Sequence, residues 1–262
     1  MTVAALLPPR LLRHVEFVLG RERPLAAASW AALDDLIRHR PISAAIVDPS
    51  VDEAASTERI GKLLSDYPSL PVIAYVTVTA PAFRAVAELS RAGLKHVVLY
   101  SFDDSPERFL ELMDTVRANS LTARLLKAFR PSLDSLPLSL KQTVEDMFAE
   151  PHRYVSATDI ATGARIPVVR LYRTFRAAGI ASPKKLLIAA KLLRAYGYLS
   201  DPGHSVRGVS KKLGYRHSRI LLDHTFEVLG FTPSRVRDHM TEDQVVERLM
   251  VWMTAEEAQA AS

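Results

Sequence analysis

Five short apolar runs punctuate residues 1–123, and each is followed by a segment whose apolar residues recur at helical spacing. Strands that alternate with helices form parallel sheets, because a crossover must return the chain to the same end of the sheet. Runs without polar alternation are typical of strands covered on both faces. The first 123 residues therefore predict an α/β fold with a five-stranded parallel sheet. The runs are VAALL (3–7), PLAAAS (24–29), SAAIV (43–47), PVIAYV (71–76) and HVVLY (96–100), and the helical segments are 11–19, 30–40, 58–67, 82–93 and 105–129.

The order and size of these elements resemble the receiver domain of bacterial response regulators, which has a flavodoxin-like fold. In that family an aspartate at the end of the third strand accepts a phosphoryl group. Asp48 ends the third run here, and Thr77 or Thr79 follows the fourth run, where the family has a Ser or Thr. The resemblance therefore makes Asp48 the position of the phosphate acceptor.

The groups that would support this chemistry are missing from the sequence. The family holds Mg²⁺ with two acids after the first strand, where this chain has Leu7-Pro8-Pro9. Tyr100 and Ser101 stand where the family has Lys-Pro after the fifth strand. Phosphoryl transfer needs a metal and a cation to neutralise the developing charge. We therefore expect a degenerate receiver, in which Asp48 is vestigial and accepts backbone hydrogen bonds instead.

The charge of the chain is distributed unevenly. Residues 1–123 carry 13 Lys/Arg against 15 Asp/Glu, whereas residues 124–240 carry 20 against 9, a net charge of +11. Residues 241–262 carry 1 against 5 and are expected to form an acidic C-terminal helix or tail. A local excess of this size favours a polyanionic partner such as nucleic acid.

Two helix pairs with short turns are predicted in the basic half. In the first, Ser156 or Thr158 caps a helix, Gly163 opens the turn, and a second helix starts at Pro167 and ends before Gly179. The pattern recurs over 205–237, with a long amphipathic helix over 184–199 between the two pairs. Helices joined in this way are typical of helix-turn-helix units. Residues 124–137, which lead into this half, are expected to be a linker.

Five segments of this half keep a near-constant spacing over about 100 residues: LYRTFRAAG (171–179), SPKKLL (182–187), DPGHSV (201–206), KKLGY (211–215) and GFTPSRVR (230–237). In these segments the half resembles the AraC/XylS family of bacterial transcription regulators. The resemblance implies an all-α domain over 138–240 with two helix-turn-helix units, which insert their second helices into adjacent major grooves of double-stranded DNA. RNA polymerase is then a further candidate partner.

The helical spacing separates core from DNA-facing positions in the first unit. Leu171 and Phe175 lie four residues apart and should face the core. Val169, Tyr172, Arg173 and Arg176 should then project outward. In this position Arg173 can donate two hydrogen bonds to a guanine edge, and Val169 can contact a thymine methyl group. Arg170 and Arg176 are expected to contact phosphates.

In the second unit, the family resemblance assigns DNA contact to Arg216, Ser218, Arg219, Leu222 and Asp223. The family places an aromatic residue where Thr225 stands, and Phe226 comes one residue later. We therefore expect either a rotated second helix or a shifted start. In the first unit, Arg165 stands at the usual turn glycine, which would leave the bend to Gly163.

These features predict a sequence-specific DNA-binding transcription regulator without enzymatic activity, cofactor or metal. The apolar stripe of helix 105–129, from Phe109 to Leu125, is expected to form a homodimer. With no cysteine, no apolar stretch of about 20 residues and no signal peptide, the protein is expected to be cytoplasmic, with no membrane partner. Two alternatives are an adaptor or architectural protein that binds DNA non-specifically, and a response regulator phosphorylated on Asp48.

Overall fold

The computed structural model describes residues 2–20, 23–50, 56–118 and 120–254. The chain divides into two compact units. The first comprises residues 1–118 together with 201–204, and the second comprises residues 119–200 and 205–262. Among the described helices, none has both the length and the apolar character needed to cross a membrane.

The first unit is built on a five-stranded parallel sheet, as the apolar runs predict. The strand order is β2-β1-β3-β4-β5. Val3 pairs with Ala44 and Leu6 with Val47, so that β1 and β3 lie side by side at the centre of the sheet. The strands are β1 (Val3–Leu6), β2 (Leu25–Ala26), β3 (Ala44–Val47), β4 (Val72–Val76) and β5 (His96–Leu99).

Helices cover both faces of this sheet. One face is packed against α1 and α5, which contribute Val15 and Phe109 to its core. The other face is packed against α2, α3 and α4, with Leu33, Ile60 and Leu89 as central residues. The coverage of both faces explains why β1, β3 and β4 are buried along their whole length. The helices are α1 (Pro9–Leu19), α2 (Trp30–His39), α3 (Ser56–Asp66), α4 (Ala80–Arg91) and α5 (Pro106–Ala118).

The expectation of a single helix over 105–129 is wrong. Instead, α5 ends at Ala118 and α6 begins at Leu121. The hydroxyl of Ser120 accepts a hydrogen bond from the Ala123 N–H at 3.2 Å, which caps a new helix. Helix α6 continues to Asp134 and so takes the place of most of the linker expected over 124–137.

The apolar stripe expected to form a dimer interface is also buried within the chain. Phe109, Met113 and Val116 are at most 6% exposed and belong to the first unit. Leu125 lies in the core of the second unit together with Phe129. These four residues of the stripe therefore pack inside the chain and are not available to a second copy.

The second unit is all-helical and has one continuous core. Helix α10 lies at its centre and is buried on most of its surface. Residues 242–254 of the acidic segment form α14, in which Val245, Leu249 and Met253 are buried, and Arg124 pairs with Glu242 and Asp243. The rest of that segment, residues 255–262, lies outside the described residues. The helices are α6 (Leu121–Asp134), α7 (Leu138–Ala149), a 3-10 helix (Pro151–Arg153), α8 (Ala157–Gly163), α9 (Val168–Ala177), α10 (Pro183–Ser200), α11 (Val206–Lys212), α12 (Ser218–Leu229), α13 (Pro233–His239) and α14 (Glu242–Thr254).

Candidate nucleic-acid interface

Helices α8 and α9 form the first helix pair, and α11 and α12 form the second. Each pair starts at a capping serine, Ser156 or Ser205, and Ser156 forms a reciprocal capping box with Asp159. After the first helix, both turns contain the same backbone hydrogen bonds. Arg165 N–H donates to Thr162 C=O and Gly214 N–H to Lys211 C=O, both at 3.1 Å, and the next residue in each turn donates five residues back at 3.0 Å. The two turns therefore repeat each other at an interval of 49 residues.

The first turn bends at Arg165, and the expectation that Gly163 opens it is wrong. Arg165 has φ 56°, which corresponds to φ 70° at Gly214 in the second turn. Gly163 is instead the last residue of α8, and it allows α8 to approach α7 closely. A Cβ atom at Gly163 would lie 2.9 Å from Thr143 Cγ2, closer than non-bonded carbon atoms approach.

Helix α9 has a buried face and an exposed face. Leu171 and Phe175 are at most 1% exposed, which confirms that they face the core. On the opposite side, Val169 is 72% and Tyr172 45% exposed. One to two turns along the helix, Arg173 and Arg176 extend this surface and are both exposed. We call Val169, Tyr172, Arg173 and Arg176 the α9 face.

Arg170 lies beside this face. It lines a shallow depression of about 650 Å³ between α9 and the turn that precedes α7, together with Ser135, Pro137 and Thr174. Within the described residues, no carboxylate lies within 4.0 Å of Arg165, Arg170, Arg173 or Arg176. Four exposed guanidinium groups with no carboxylate partner in the described part of the chain can therefore bind an external anion.

Helix α12 packs like α9. The turn before it has one additional residue, so the core residues of α12 correspond to those of α9 at an interval of 50 residues instead of 49. Leu221 takes the core position of Leu171, and Thr225 takes that of Phe175. The Thr225 hydroxyl donates to the Leu221 C=O at 2.6 Å, which satisfies it inside the core. Phe226 is 63% exposed. The start of α12 is therefore shifted, and the aromatic side chain lies on the surface rather than in the core.

The exposed side of α12 differs from the α9 face in charge. Arg219 Nε donates to Asp223 Oδ1 at 3.0 Å, so the two charges compensate each other. Leu222 and Ser218 beside them are half-buried, and Arg216 in the preceding turn is exposed. The residues assigned to DNA contact in the second pair thus lie on one side of that pair. They differ from the α9 face because the arginine on α12 is paired with a carboxylate.

A cluster of ionisable side chains joins α10 to the second helix pair, and sequence reasoning did not find it. Lys191 Nζ lies 5.1 Å from the centre of the Tyr215 ring, and Tyr215 Oη lies 3.4 Å from His224 Nδ1. Burial lowers the pKa of Lys191 and of His224 and raises the pKa of Tyr215. Lys191 is thus a buried cation held on an aromatic face, an arrangement that fixes Tyr215 at the turn.

In the first unit, Asp48 is 2% exposed and makes local hydrogen bonds. Its Oδ1 accepts from Ser50 N–H at 2.8 Å and from Ser50 Oγ at 2.7 Å. The Thr79 hydroxyl caps α4 by accepting from Ala82 N–H at 3.2 Å, and the Tyr100 hydroxyl accepts from Arg10 Nε at 3.1 Å. These side chains therefore serve the loops at the carboxyl edge of the sheet.

Among the described residues, no group of three or more His, Asp or Glu side chains could hold a metal ion. Comparison of the chain with protein-family models, with curated proteins and with solved structures gave no match. The geometry of the two helix pairs and of the sheet edge is therefore the basis for the function proposed below.

Proposed function

We propose that this protein is a sequence-specific DNA-binding transcription regulator of the AraC/XylS type, with two helix-turn-helix units. The observation that carries the proposal is the α9 face. It presents an aliphatic, an aromatic and two arginine side chains to solvent, and the arginines have no carboxylate partner among the described residues. An α-helix with its side chains is about 10–12 Å in diameter, and the major groove is about 12 Å wide, so that α9 can enter it.

Each residue of the α9 face has a role that its chemistry supports. Arg173 donates to guanine O6 and N7, and Val169 contacts a thymine methyl group. Tyr172 adds an aromatic surface with a hydroxyl group beside them. Arg170 and Arg176 bind phosphates, which position the helix but carry no sequence information. In the second pair, Arg216, Ser218, Arg219 and Leu222 contact the adjacent groove. RNA polymerase is the proposed protein partner.

The first unit is proposed to be a receiver-like domain that works without phosphorylation. The strand order β2-β1-β3-β4-β5 is that of flavodoxin-like sheets, which supports this assignment. Asp48 is buried and bonded to Ser50, and Pro8 and Pro9 leave no carboxylate pair in the β1–α1 turn. Incubation with acetyl phosphate and Mg²⁺ should therefore give no phosphoprotein. A band that appears and is lost in Asp48→Asn would contradict this.

The first unit is also proposed to serve in homodimerisation or partner contact. Since the stripe from Phe109 to Val116 is internal, the surface available on this side of the unit includes Phe102 and Leu110, which are 66% and 43% exposed. Light scattering should give twice the monomer mass of 29.0 kDa. The Phe102→Ser/Leu110→Ser variant should be monomeric, whereas Phe83→Ser, which removes an exposed aromatic from α4 on the other face of the sheet, should not change the mass.

The experiment that tests the proposed function is selection of binding sites from random duplexes by the full-length protein. We expect one enriched sequence and a protected footprint on both major grooves of one DNA face. Arg173→Ala should abolish enrichment at one base pair, while Arg91→Ala, which removes the same charge from an exposed site on α4, should leave it unchanged. Binding without enrichment of any sequence would contradict the proposal and favour a non-specific DNA-binding adaptor.

A further inference from the structure

The second helix pair carries an exposed aromatic side chain with no counterpart on the first. Phe226 is 63% exposed, whereas Leu221 and Thr225 of the same helix are at most 1% exposed. Residues three and four apart lie on one side of a helix. Phe226 therefore shares the outer side of α12 with Leu222 and Asp223, and Arg219 lies one turn before them. We call these four residues the α12 face.

The α12 face has no uncompensated charge of its own, and it is bordered by three exposed cations, Arg207, Lys211 and Arg216, and by one exposed carboxylate, Glu227. Its arginine and its aspartate are joined at 3.0 Å. Arg207 and Lys211 on α11 and Arg216 in the turn are exposed, and no carboxylate of the described residues lies within 4.0 Å of them. An apolar centre whose border carries a net positive charge is complementary to a ligand with an apolar interior and anionic edges. Duplex DNA has this pattern where thymine methyl groups line the major groove between the phosphates.

The packing of α12 gives the α12 face the same placement in its pair as the α9 face. The two turns share their hydrogen bonds, and the interval of 50 residues matches Leu221 to Leu171 and Thr225 to Phe175. By the same interval Phe226 corresponds to Arg176, and Leu222 corresponds to Tyr172. A groove that accepts the α9 face would therefore meet a phenyl ring at the position from which Arg176 reaches a phosphate. The phenyl ring is shorter than the arginine side chain and binds no phosphate, so it stays within the major groove, where the thymine methyl groups lie.

We infer that Phe226, supported by Leu222, reads thymine methyl groups in the major groove, so that the second helix pair selects its bases by apolar contact. This inference rests on the proposed function and adds a specificity-determining residue to it. The Arg219–Asp223 pair then contributes by compensation, since it brings a carboxylate near the phosphates without leaving it unpaired. The first pair specifies guanine through Arg173, and the second specifies thymine through Phe226.

The test replaces thymine by deoxyuridine, which removes only the C5 methyl group. The full-length protein first selects its site from random duplexes, and each thymine of the second half of that site is then replaced in turn. For the unsubstituted protein we expect one or two replacements to weaken binding by about threefold to fivefold, the effect of losing one buried methyl group. For Phe226→Ala the same replacements should have no effect.

Two further variants keep the interpretation unambiguous. Phe226→Leu retains an apolar side chain and should keep part of the deoxyuridine effect, which also shows that the helix is intact. Val251→Ala, at a 64% exposed valine on α14, removes exposed apolar surface elsewhere and should keep the whole effect.

The outcomes separate the inference from the function on which it rests. If a site is selected but the deoxyuridine effects are equal in the unsubstituted protein and in Phe226→Ala, the inference is wrong and the proposed function stands. If no sequence is enriched at all, both are overturned.

Discussion

The guanidinium of Arg219 donates to the carboxylate of Asp223 at 3.0 Å on the outer side of α12. The two residues are four positions apart, the spacing at which opposite charges on a helix compensate each other. Both side chains are more than half exposed, so the pair adds little to stability. Its main consequence is therefore electrostatic, because it removes one cation from a basic surface.

Breaking this pair should strengthen DNA binding without regard to sequence. In Asp223→Asn the guanidinium of Arg219 becomes free to bind a phosphate, and one negative charge near the DNA is removed. We expect the affinity for selected and random duplexes to rise by a similar factor, and the slope of log K against log salt to steepen by about one. Titrations at two salt concentrations measure both changes. Asp114→Asn, on α5 of the first unit, should change neither, and equal effects of the two substitutions would assign the gain to net charge alone.

Two arginines of the α9 face should have separable effects. Arg173→Ala should weaken specific binding by about 1–3 kcal/mol and relax the preference at one base pair, because bidentate contact with guanine is lost. Arg176→Ala should weaken binding to all sequences about equally and lower the salt slope by about one. Competition titrations with matched and mismatched duplexes distinguish the two. Should Arg173→Ala lower the affinity for specific and random DNA by the same factor, Arg173 contacts a phosphate.

Two glycines should respond to alanine in opposite directions. Gly163→Ala places a Cβ atom 2.9 Å from Thr143 Cγ2, and the forced shift of α8 against α7 should lower the free energy of unfolding by about 1–3 kcal/mol. Gly197→Ala in α10 meets no heavy atom within 4 Å and should raise it by about 0.4–1 kcal/mol. Urea unfolding measures both.

A second substitution checks the cause. Thr143→Ser removes Cγ2 but keeps the hydroxyl that donates to Ser139 C=O at 2.8 Å. In this background Gly163→Ala should lose most of its destabilising effect. An undiminished effect would show that the contact with Thr143 is not the reason for the glycine.

The stability of the second unit should fall as the pH drops below 7. Burial lowers the pKa of His152 and of His224 from the usual 6.5, so the unfolded chain takes up their protons before the folded protein does. Where the unfolded state binds more protons, stability decreases with falling pH. The loss therefore begins near the unfolded pKa and is complete below the folded pKa values. The lowered carboxylate pKa values of Glu150 and Asp159 add a further loss at lower pH, where carboxylates of the unfolded chain take up protons.

Trp252 offers a local probe for this measurement. The chain has two tryptophans, and Trp30→Phe leaves Trp252 on α14 as the only one. In this background, urea unfolding followed by fluorescence should give a free energy that declines between pH 7 and pH 5.5. The His152→Gln/His224→Gln variant should have a flatter profile in this range. An unchanged profile would assign the decline to other groups.

The sheet could be predicted from the sequence because each strand is a short apolar run between turn residues, a pattern that few other structures produce. The break between α5 and α6 could not, since the apolar spacing runs from Phe109 to Leu125 without interruption and only the Ser120 cap divides it. The shifted start of α12 could not be predicted from the sequence either. One additional residue in the turn changes which side chain enters the core, and the sequence shows Thr225 and Phe226 without showing which is buried. Charge compensation by Arg219 and Asp223, by contrast, is readable from their spacing alone.

Because the turn is repeated, the two helix pairs have equivalent backbone and core positions. Their turn hydrogen bonds recur at an interval of 49 residues and their core positions at an interval of 50. Each outward residue of α9 therefore has an equivalent position on α12. Val169, Tyr172, Arg173 and Arg176 can thus be transplanted to positions 219, 222, 223 and 226 with no change to a core side chain. A protein engineer could in this way duplicate or exchange the recognition surface of one pair while leaving the scaffold as it is.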